Sequence, residues 1–291
     1  MDKPVIALMY DFDKTLCTKD MQEYSFIPKI NMAPKDFWSK TNSSAKEQKM
    51  DKILSYMHFM LKEAKSADQR IRREDFVALG QDLEYFPGVE KWFSRISDFV
   101  KDMDVAVEHY VISSGLKEII EGSSIYGCFK EVFASEFLYD VNEVACWPKN
   151  ALNYTTKTQF LFRINKGVLD LSNDEDLNRY TPDDDRPVPF RNMLYIGDGL
   201  TDVPCMKLVK ANGGYSVAVY QDGEKGKVED LIIDKRVDFL ALADYSENGE
   251  LDKIVKDIIL KMVMVDSLKE KSKRQIAEIK QSRDQNLHNQ T

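Results

Sequence analysis

Histidine and cysteine are scarce in this chain, at 3 and 4 of 291 residues. The histidines (His58, His109 and His288) lie far apart, and no pair has metal-ligand spacing. The cysteines (Cys17, Cys128, Cys146 and Cys205) are scattered without a CxxC pair, so neither a zinc site nor a disulfide scaffold is indicated. Reduced thiols point to the cytoplasm. No apolar run approaches the roughly 18 residues of a membrane-spanning helix. The apolar stretch near the N-terminus is too short for a signal-peptide core and runs straight into Asp11. Positive charge is also in deficit. Lys+Arg total 41 against 49 Asp+Glu, a net charge of −8. That balance argues against nonspecific nucleic-acid binding, which needs a basic footprint, and against anionic membrane surfaces.

What remains is a soluble globular composition, 43% hydrophobic and 31% charged. The length suits one large core with a smaller appended domain, or two modest ones. Val5–Tyr10 is a nearly continuous apolar run, as in a strand buried on both faces of a parallel sheet. Residues 17–84 turn polar, with Ile53, Leu54, Met57, Met60 and Leu61 at helical spacing, and read as a small helical insertion. Pro87-Gly88 opens a helix through Trp92, Phe93 and Ile96. Residues 105–112 read as a second strand that Ser113-Ser114-Gly115 ends, with a helix starting over 116–121. A strand or two with a hairpin fits 131–147, and a helix fits 156–165 with Gly167 as its stop. Residues 172–189 form an acidic, proline-containing excursion. A strand over 192–196, a helix over 201–209 and a strand over 215–219 follow. From Leu251 to about Ile279 the 3–4 spacing predicts one long helix or two joined. Alternating strands and helices predict an α/β fold with a parallel sheet.

Two strand ends carry acids. Asp11-Phe12-Asp13-Lys14-Thr15 follows the first strand directly. Ligand crevices of open α/β sheets lie beyond the carboxyl ends of strands. Two carboxylates placed there repel, and a divalent cation would offset that repulsion; a solvated polar loop is the plainer alternative. Gly197-Asp198-Gly199-Leu200-Thr201-Asp202 follows another apolar run, with glycines that permit a tight turn and Thr201 or an Asp available as helix cap. Ser113 and Ser114 stand at a third strand end, either as an anion site or as a helix cap. Lys157 opens a helix, where a lysine is usually a surface residue.

In this order the four signals resemble the motifs of the haloacid dehalogenase superfamily: DxDxT at Asp11, Asp13 and Thr15, then Ser113, Lys157, and GDGxxD at Asp198 and Asp202. The helical stretch after the first motif is similar to the cap placement of phosphoserine-phosphatase-like members. The resemblance implies a Rossmann-type parallel-sheet core of residues 1–16 and 86–291, with a helical cap over 17–85. It implies a Mg²⁺-dependent phosphatase acting on a small phosphorylated metabolite. Asp11 would be the nucleophile that forms an aspartyl-phosphate, and Asp13 the acid and base. Asp11, the backbone carbonyl of Asp13, and Asp198 would hold the ion. Ser113, Ser114 and Lys157 would bind the phosphoryl group, with Thr15 and Asp202 in support. Lys149 and Lys166 compete for the lysine role, and the stretch from Lys157 to Asp198 is longer than the family usually shows.

A phosphomutase fits the same motif, and a noncatalytic phosphate-binding or scaffold protein on this fold is the alternative of another class. Cap candidates for substrate selection are Glu23, Tyr24, Arg70, Arg72 and Arg73. The arginines fit a carboxylate or second phosphate, or simply a solvated helix face. Met262-Val263-Met264-Val265 is apolar on all sides, which calls for the core or for a homodimer interface through the C-terminal helix.

Overall fold

The structure, a computed structural model, describes residues 3–69 and 71–288. The helices are α1 (Phe26–Lys29), α2 (Pro34–Gln48), α3 (Lys52–Ser66), α4 (Arg73–Leu79), α5 (Val89–Val100), α6 (Lys117–Glu121), α7 (Lys157–Lys166), α8 (Asp174–Asn178), α9 (Val203–Ala211), α10 (Glu229–Ile233) and α11 (Glu250–His288). The strands are β1 (Val5–Tyr10), β2 (Ala106–Leu116), β3 (Glu131–Tyr139), β4 (Ala145–Asn150), β5 (Met193–Gly197), β6 (Tyr215–Tyr220) and β7 (Phe239–Leu242). They form one sheet in the order β4-β3-β2-β1-β5-β6-β7. All its pairings are parallel except the β3–β4 hairpin.

β1 is central and buried on both faces, as its continuous apolar run predicts. Ile6, Leu8 and Tyr10 face one core, which α5 and the first half of α11 cover through Trp92, Ile96, Val255 and Ile259. Ala7 and Met9 face the other, closed by α7 and α9 through Phe160, Leu161, Cys205 and Met206. Met262 is buried but Met264 is 66% exposed, so the apolar run at 262–265 is divided between core and surface. No helix of the described residues is long and apolar enough to cross a membrane.

Residues 17–85 add helices and, among the described residues, no strand to the sheet. Local chemistry sets these helices. Pro34 occupies the first turn of α2, where its missing N–H costs nothing. Asp51 caps α3 by accepting the Ile53 and Leu54 N–H groups at 2.8 and 3.1 Å. The two chain crossings into this segment pair with each other, Thr18 N–H donating to Glu84 O at 2.9 Å and Phe86 N–H to Leu16 O at 3.1 Å. The Tyr24 hydroxyl sits between them, bonded to Thr18 and donating to Glu84 O.

Two sequence expectations need correction. Ser113-Ser114-Gly115 does not end β2; the strand continues to Leu116 through a bulge, where its register against β3 shifts between Ile112 and Leu116. Thr201 does not cap α9; Asp202 stands at that position without a side-chain cap bond. β7 and α10 are additions that the sequence pattern did not mark. Both are short, and β7 is an edge strand with Phe239 36% exposed.

One buried titratable group lies between β1, β2 and α5. Trp92 Nε1–H donates to the Tyr10 hydroxyl at 2.9 Å, so the hydroxyl proton is free to donate to His109 Nδ1 at 3.0 Å. The other ring nitrogen, His109 Nε2, is buried without a partner among the described residues. Burial pushes the imidazole down to about 3. The folded state therefore binds fewer protons than the unfolded state between pH 6.5 and 3, and stability falls as pH falls through that window. His109→Gln should flatten this dependence by up to about 1.4 kcal/mol per pH unit below 6.5. Urea unfolding of both proteins at pH 7 and pH 5 measures the difference, and identical slopes would refute it.

Candidate active site

The first acid is placed by the end of β1. Asp11 N–H donates to Ile196 O at 2.9 Å, which stitches this strand end to the end of β5. The chain then makes a helical turn, with Leu16 N–H bonded to Phe12 O at 2.9 Å and Lys14 in the left-handed region at φ 56°. Asp11 Oδ1 accepts its neighbour's N–H, from Phe12, at 2.7 Å. Thr15 is fully buried; its carbonyl accepts the Tyr245 hydroxyl at 2.9 Å, and its own hydroxyl has no partner among the described residues.

Lys157 ties the two acidic strand ends together. Its Nζ lies 2.9 Å from Asp11 Oδ2 and 2.8 Å from Asp202 Oδ1, and the lysine and Asp202 are fully buried. Burial disfavours the ammonium, but the carboxylates of Asp11 and Asp202 outweigh it and hold its pKa above the ordinary value. Lys149 instead pairs with Glu136 at 2.8 Å, and Lys166 donates to Leu177 O and Arg179 O at 2.6 Å each. Of the three candidate lysines, Lys157 is therefore the one that meets Asp11.

Tyr195 is a member of this cluster that sequence reading passed over as a strand residue. Its hydroxyl donates to Asp202 Oδ1 at 2.8 Å. A tyrosine in a doubly buried strand must find a polar partner, and that was the available signal. Gly197 has a specific reason to be glycine, because a Cβ there would sit 2.5 Å from Asp202 Oδ2.

Asp11, Asp198 and Asp202 each offer a carboxylate oxygen within 4.8 Å of the others. Asp202 Oδ2 is buried with no hydrogen-bond partner among the described residues. Burial, with Asp202 as the nearest like charge, raises Asp11 to about 7 and Asp198 to about 8. Excess negative charge, an orphaned carboxylate oxygen and hard oxygen donors together fit a divalent cation such as Mg²⁺. The Asp13 carboxylate lies outside that group. Its Oδ1 accepts the Met21 N–H at 2.9 Å, and burial with the charges of Asp20 and Asp11 raises it well above the usual range.

The serines at the β2 bulge lie on the same side. Ser113 is fully buried, and its Oγ accepts the Gly115 N–H at 3.0 Å. The Ser114 carbonyl is held by the Tyr56 hydroxyl at 2.7 Å and the Ser135 hydroxyl at 3.1 Å. Ser114 lines a cavity of about 480 Å³ together with Asp11, Asp13 and Asp198 from the core and Asp20, Met50, Lys52 and Ile53 from residues 17–85. Across its rim, Asn153 Nδ2 donates to Asp51 Oδ2 at 2.8 Å.

The expected selection residues lie elsewhere or do other work. Arg73 pairs with Glu121, and Arg72 lies 3.6 Å from Glu74; Arg73 and Glu74 line a separate surface hollow. A solvated, acid-paired helix face is thus the reading of Arg72 and Arg73 that the geometry supports. Arg70 lies outside the described residues. Glu23 accepts the Trp38 Nε1–H at 2.6 Å and borders a neighbouring cleft that reaches Lys14 and Asp198.

Comparison with known proteins identifies the family. The haloacid dehalogenase-like hydrolase family matches residues 8–207, and the chain belongs to that family. An uncharacterized protein of Borreliella burgdorferi is 26% identical over 274 residues, spanning 85% of this chain and 94% of its own. A HAD family hydrolase of Salmonella enterica serovar Typhi superposes with a TM-score of 0.56 at 14% identity, covering 87% of this chain and 71% of that one. A substrate-bound phosphoserine phosphatase superposes with a TM-score of 0.54 at 14% identity, covering 87% of this chain and 98% of that one. These likenesses are of fold.

Lys157→Met should destabilise the protein by about 3–5 kcal/mol at pH 7, because it leaves buried carboxylates without their counter-charge. The loss should shrink at pH 5, where Asp11 is protonated in the folded state. Denaturant unfolding at the two pH values tests this, and an equal loss at both would contradict it.

Proposed function

We propose that the protein is a Mg²⁺-dependent phosphatase of small phosphomonoesters that works through an aspartyl-phosphate. The observation that carries this reading is the Lys157 ammonium held between Asp11 of the first motif and Asp202 of the last. Family membership supports the hydrolase class.

Asp11 is the nucleophile. One of its carboxylate oxygens forms a bond to phosphorus as the bond to the leaving oxygen breaks. The electron pair of that bond goes to the leaving oxygen, which takes the proton from Asp13. In the second half, Asp13 takes a proton from water, whose oxygen bonds phosphorus and frees Asp11. Ser113, the Ser114 segment and Lys157 hold the phosphoryl oxygens. Asp202 orients Lys157 and is itself fixed by Tyr195. Thr15 buttresses the loop through its backbone bond to Tyr245. Asp11, Asp198 and the backbone carbonyl of Asp13 would hold Mg²⁺. When bound, the ion would supply charge neutralisation that lets an anionic nucleophile meet an anionic phosphoryl group.

Residues 17–85 act as the cap, placing Met50, Lys52 and Ile53 where the leaving group must lie. Closure of such a cap excludes water from the reacting centre.

Hydrolysis of p-nitrophenyl phosphate should require Mg²⁺ and stop on chelation. Asp11→Asn should retain less than about 0.1% of turnover while keeping its fold by circular dichroism. Turnover near that of the wild type would end the nucleophile assignment. Lys157→Ala should weaken vanadate binding by roughly 10–100-fold, the worth of a charge-assisted hydrogen bond, and Lys149→Ala should leave it unchanged. The reverse pattern would show that another lysine binds the anion.

A further inference from the structure

We propose that Met21 is a positioning residue for Asp13, joining the first turn of the 17–85 segment to the β2 bulge so that one carboxyl oxygen of Asp13 is presented to the leaving group. The inference rests on the reading of Asp13 as acid and base and adds a residue to it.

Two hydrogen bonds meet at Met21, which is 1% exposed. Its backbone N–H donates to Asp13 Oδ1 at 2.9 Å. The Cys17 thiol lies on the same oxygen, at 3.7 Å. The Met21 thioether accepts the Leu116 N–H, N···Sδ 3.1 Å. A Cβ added at Gly115 would fall 2.2 Å from Met21 Cε, 2.8 Å from its Sδ and 2.9 Å from Asp13 Oδ2. Asp13, Met21 and the bulge are therefore packed without spare room.

Each contact has a physical consequence. With Oδ1 occupied by an N–H donor, Asp13 keeps Oδ2 for the proton it must give and take. Leu116 is fully buried and lies beyond the last β1–β2 pair, Tyr10–Val111, so its N–H needs an acceptor from outside that pairing. A thioether is a weak acceptor on a flexible side chain that fills irregular gaps. Leucine would keep the volume but leave that N–H unpaired, and the cost of the orphan would move the Met21 backbone and with it Asp13 Oδ1.

A displaced general acid has a signature that a generally loosened site lacks. Protonation matters most for poor leaving groups, so the loss should grow from p-nitrophenyl phosphate to phenyl phosphate. Met21→Leu should lower kcat/KM on phenyl phosphate about tenfold and on p-nitrophenyl phosphate less than about threefold, a partial loss of the roughly 10²–10⁴ that a general acid contributes. KM should change less than about twofold on either ester. Gly115→Ala, which inserts a methyl group at the same junction, should give the same bias, with Asp13→Asn as the extreme case. Near-UV circular dichroism establishes that each variant is folded. Equal losses in kcat/KM on the two esters, or wild-type rates in both Met21→Leu and Gly115→Ala, would overturn the role of Met21 while leaving the phosphatase reading intact. A wild type inert on both esters with Mg²⁺ present would remove that reading and this one together.

Discussion

Everything at this site follows from holding like charges together at the ends of two parallel strands. β1 and β5 are neighbours and point the same way, so the acids that follow them meet. Asp11, Asp198 and Asp202 converge there, with Lys157 against two of them. Burying carboxylates this close is costly unless charge is returned to the cluster. Lys157 returns one unit, and a bound cation would return the remainder. The surrounding scaffold is shaped by that constraint. Asp202 needs the Tyr195 hydroxyl, Gly197 must lack a side chain, and the Asp11 backbone must be fixed to β5.

The 17–85 segment shows how the same economy extends beyond the sheet. Three of its contacts with the core lie near the site: Met21 on the β2 bulge, the Tyr56 hydroxyl on the Ser114 carbonyl, and Asp51 on Asn153. Each contact satisfies a backbone or side-chain group left unpaired by irregular structure. The Leu116 N–H and the Ser114 carbonyl, both in the stretch of β2 beyond its last pair with β1, are what the helical segment holds there. Irregularity in the strand and docking of the insertion are two sides of one arrangement.

Much of this was legible in the residues. Continuous apolar runs marked the doubly buried strands because both faces of β1, β2 and β5 are covered. The acid pairs marked the site because few other reasons bring carboxylates to strand ends. The insertion stood out by its change from continuous to helical periodicity. What escaped had physical causes as well. Ser113-Ser114-Gly115 has turn chemistry, and only the partner strand reveals that it is a bulge. Arg72 and Arg73 look like anion binders in isolation, yet their acids, Glu74 and Glu121, come from their own helix and from α6 across the fold. Met21 carries no chemical signal at all; its contact depends on three segments meeting. β7 and α10 are too short, and too exposed on one side, for periodicity to register.

The titration behaviour of the fold contains two opposed terms, and their opposition bears on how the site works. Asp11 and Asp198 are raised to about 7 and about 8, mainly by burial. Between the ordinary carboxylate value and those limits the folded state binds more protons than the unfolded state, so these acids make the cation-free protein less stable as pH rises. His109, pushed down to about 3, acts in the opposite sense and weakens the protein as pH falls. The acids carry the larger meaning, because their penalty at neutral pH comes from burial, with the proximity that suits a cation adding to it. Ligation requires the ionised carboxylates, so a cation would bind with release of protons and offset both the burial and the repulsion that raise their pKa values. The cluster is therefore strained when its carboxylates are all ionised. Lys157 alone removes part of that strain, and the remainder is the driving force available for binding the ion.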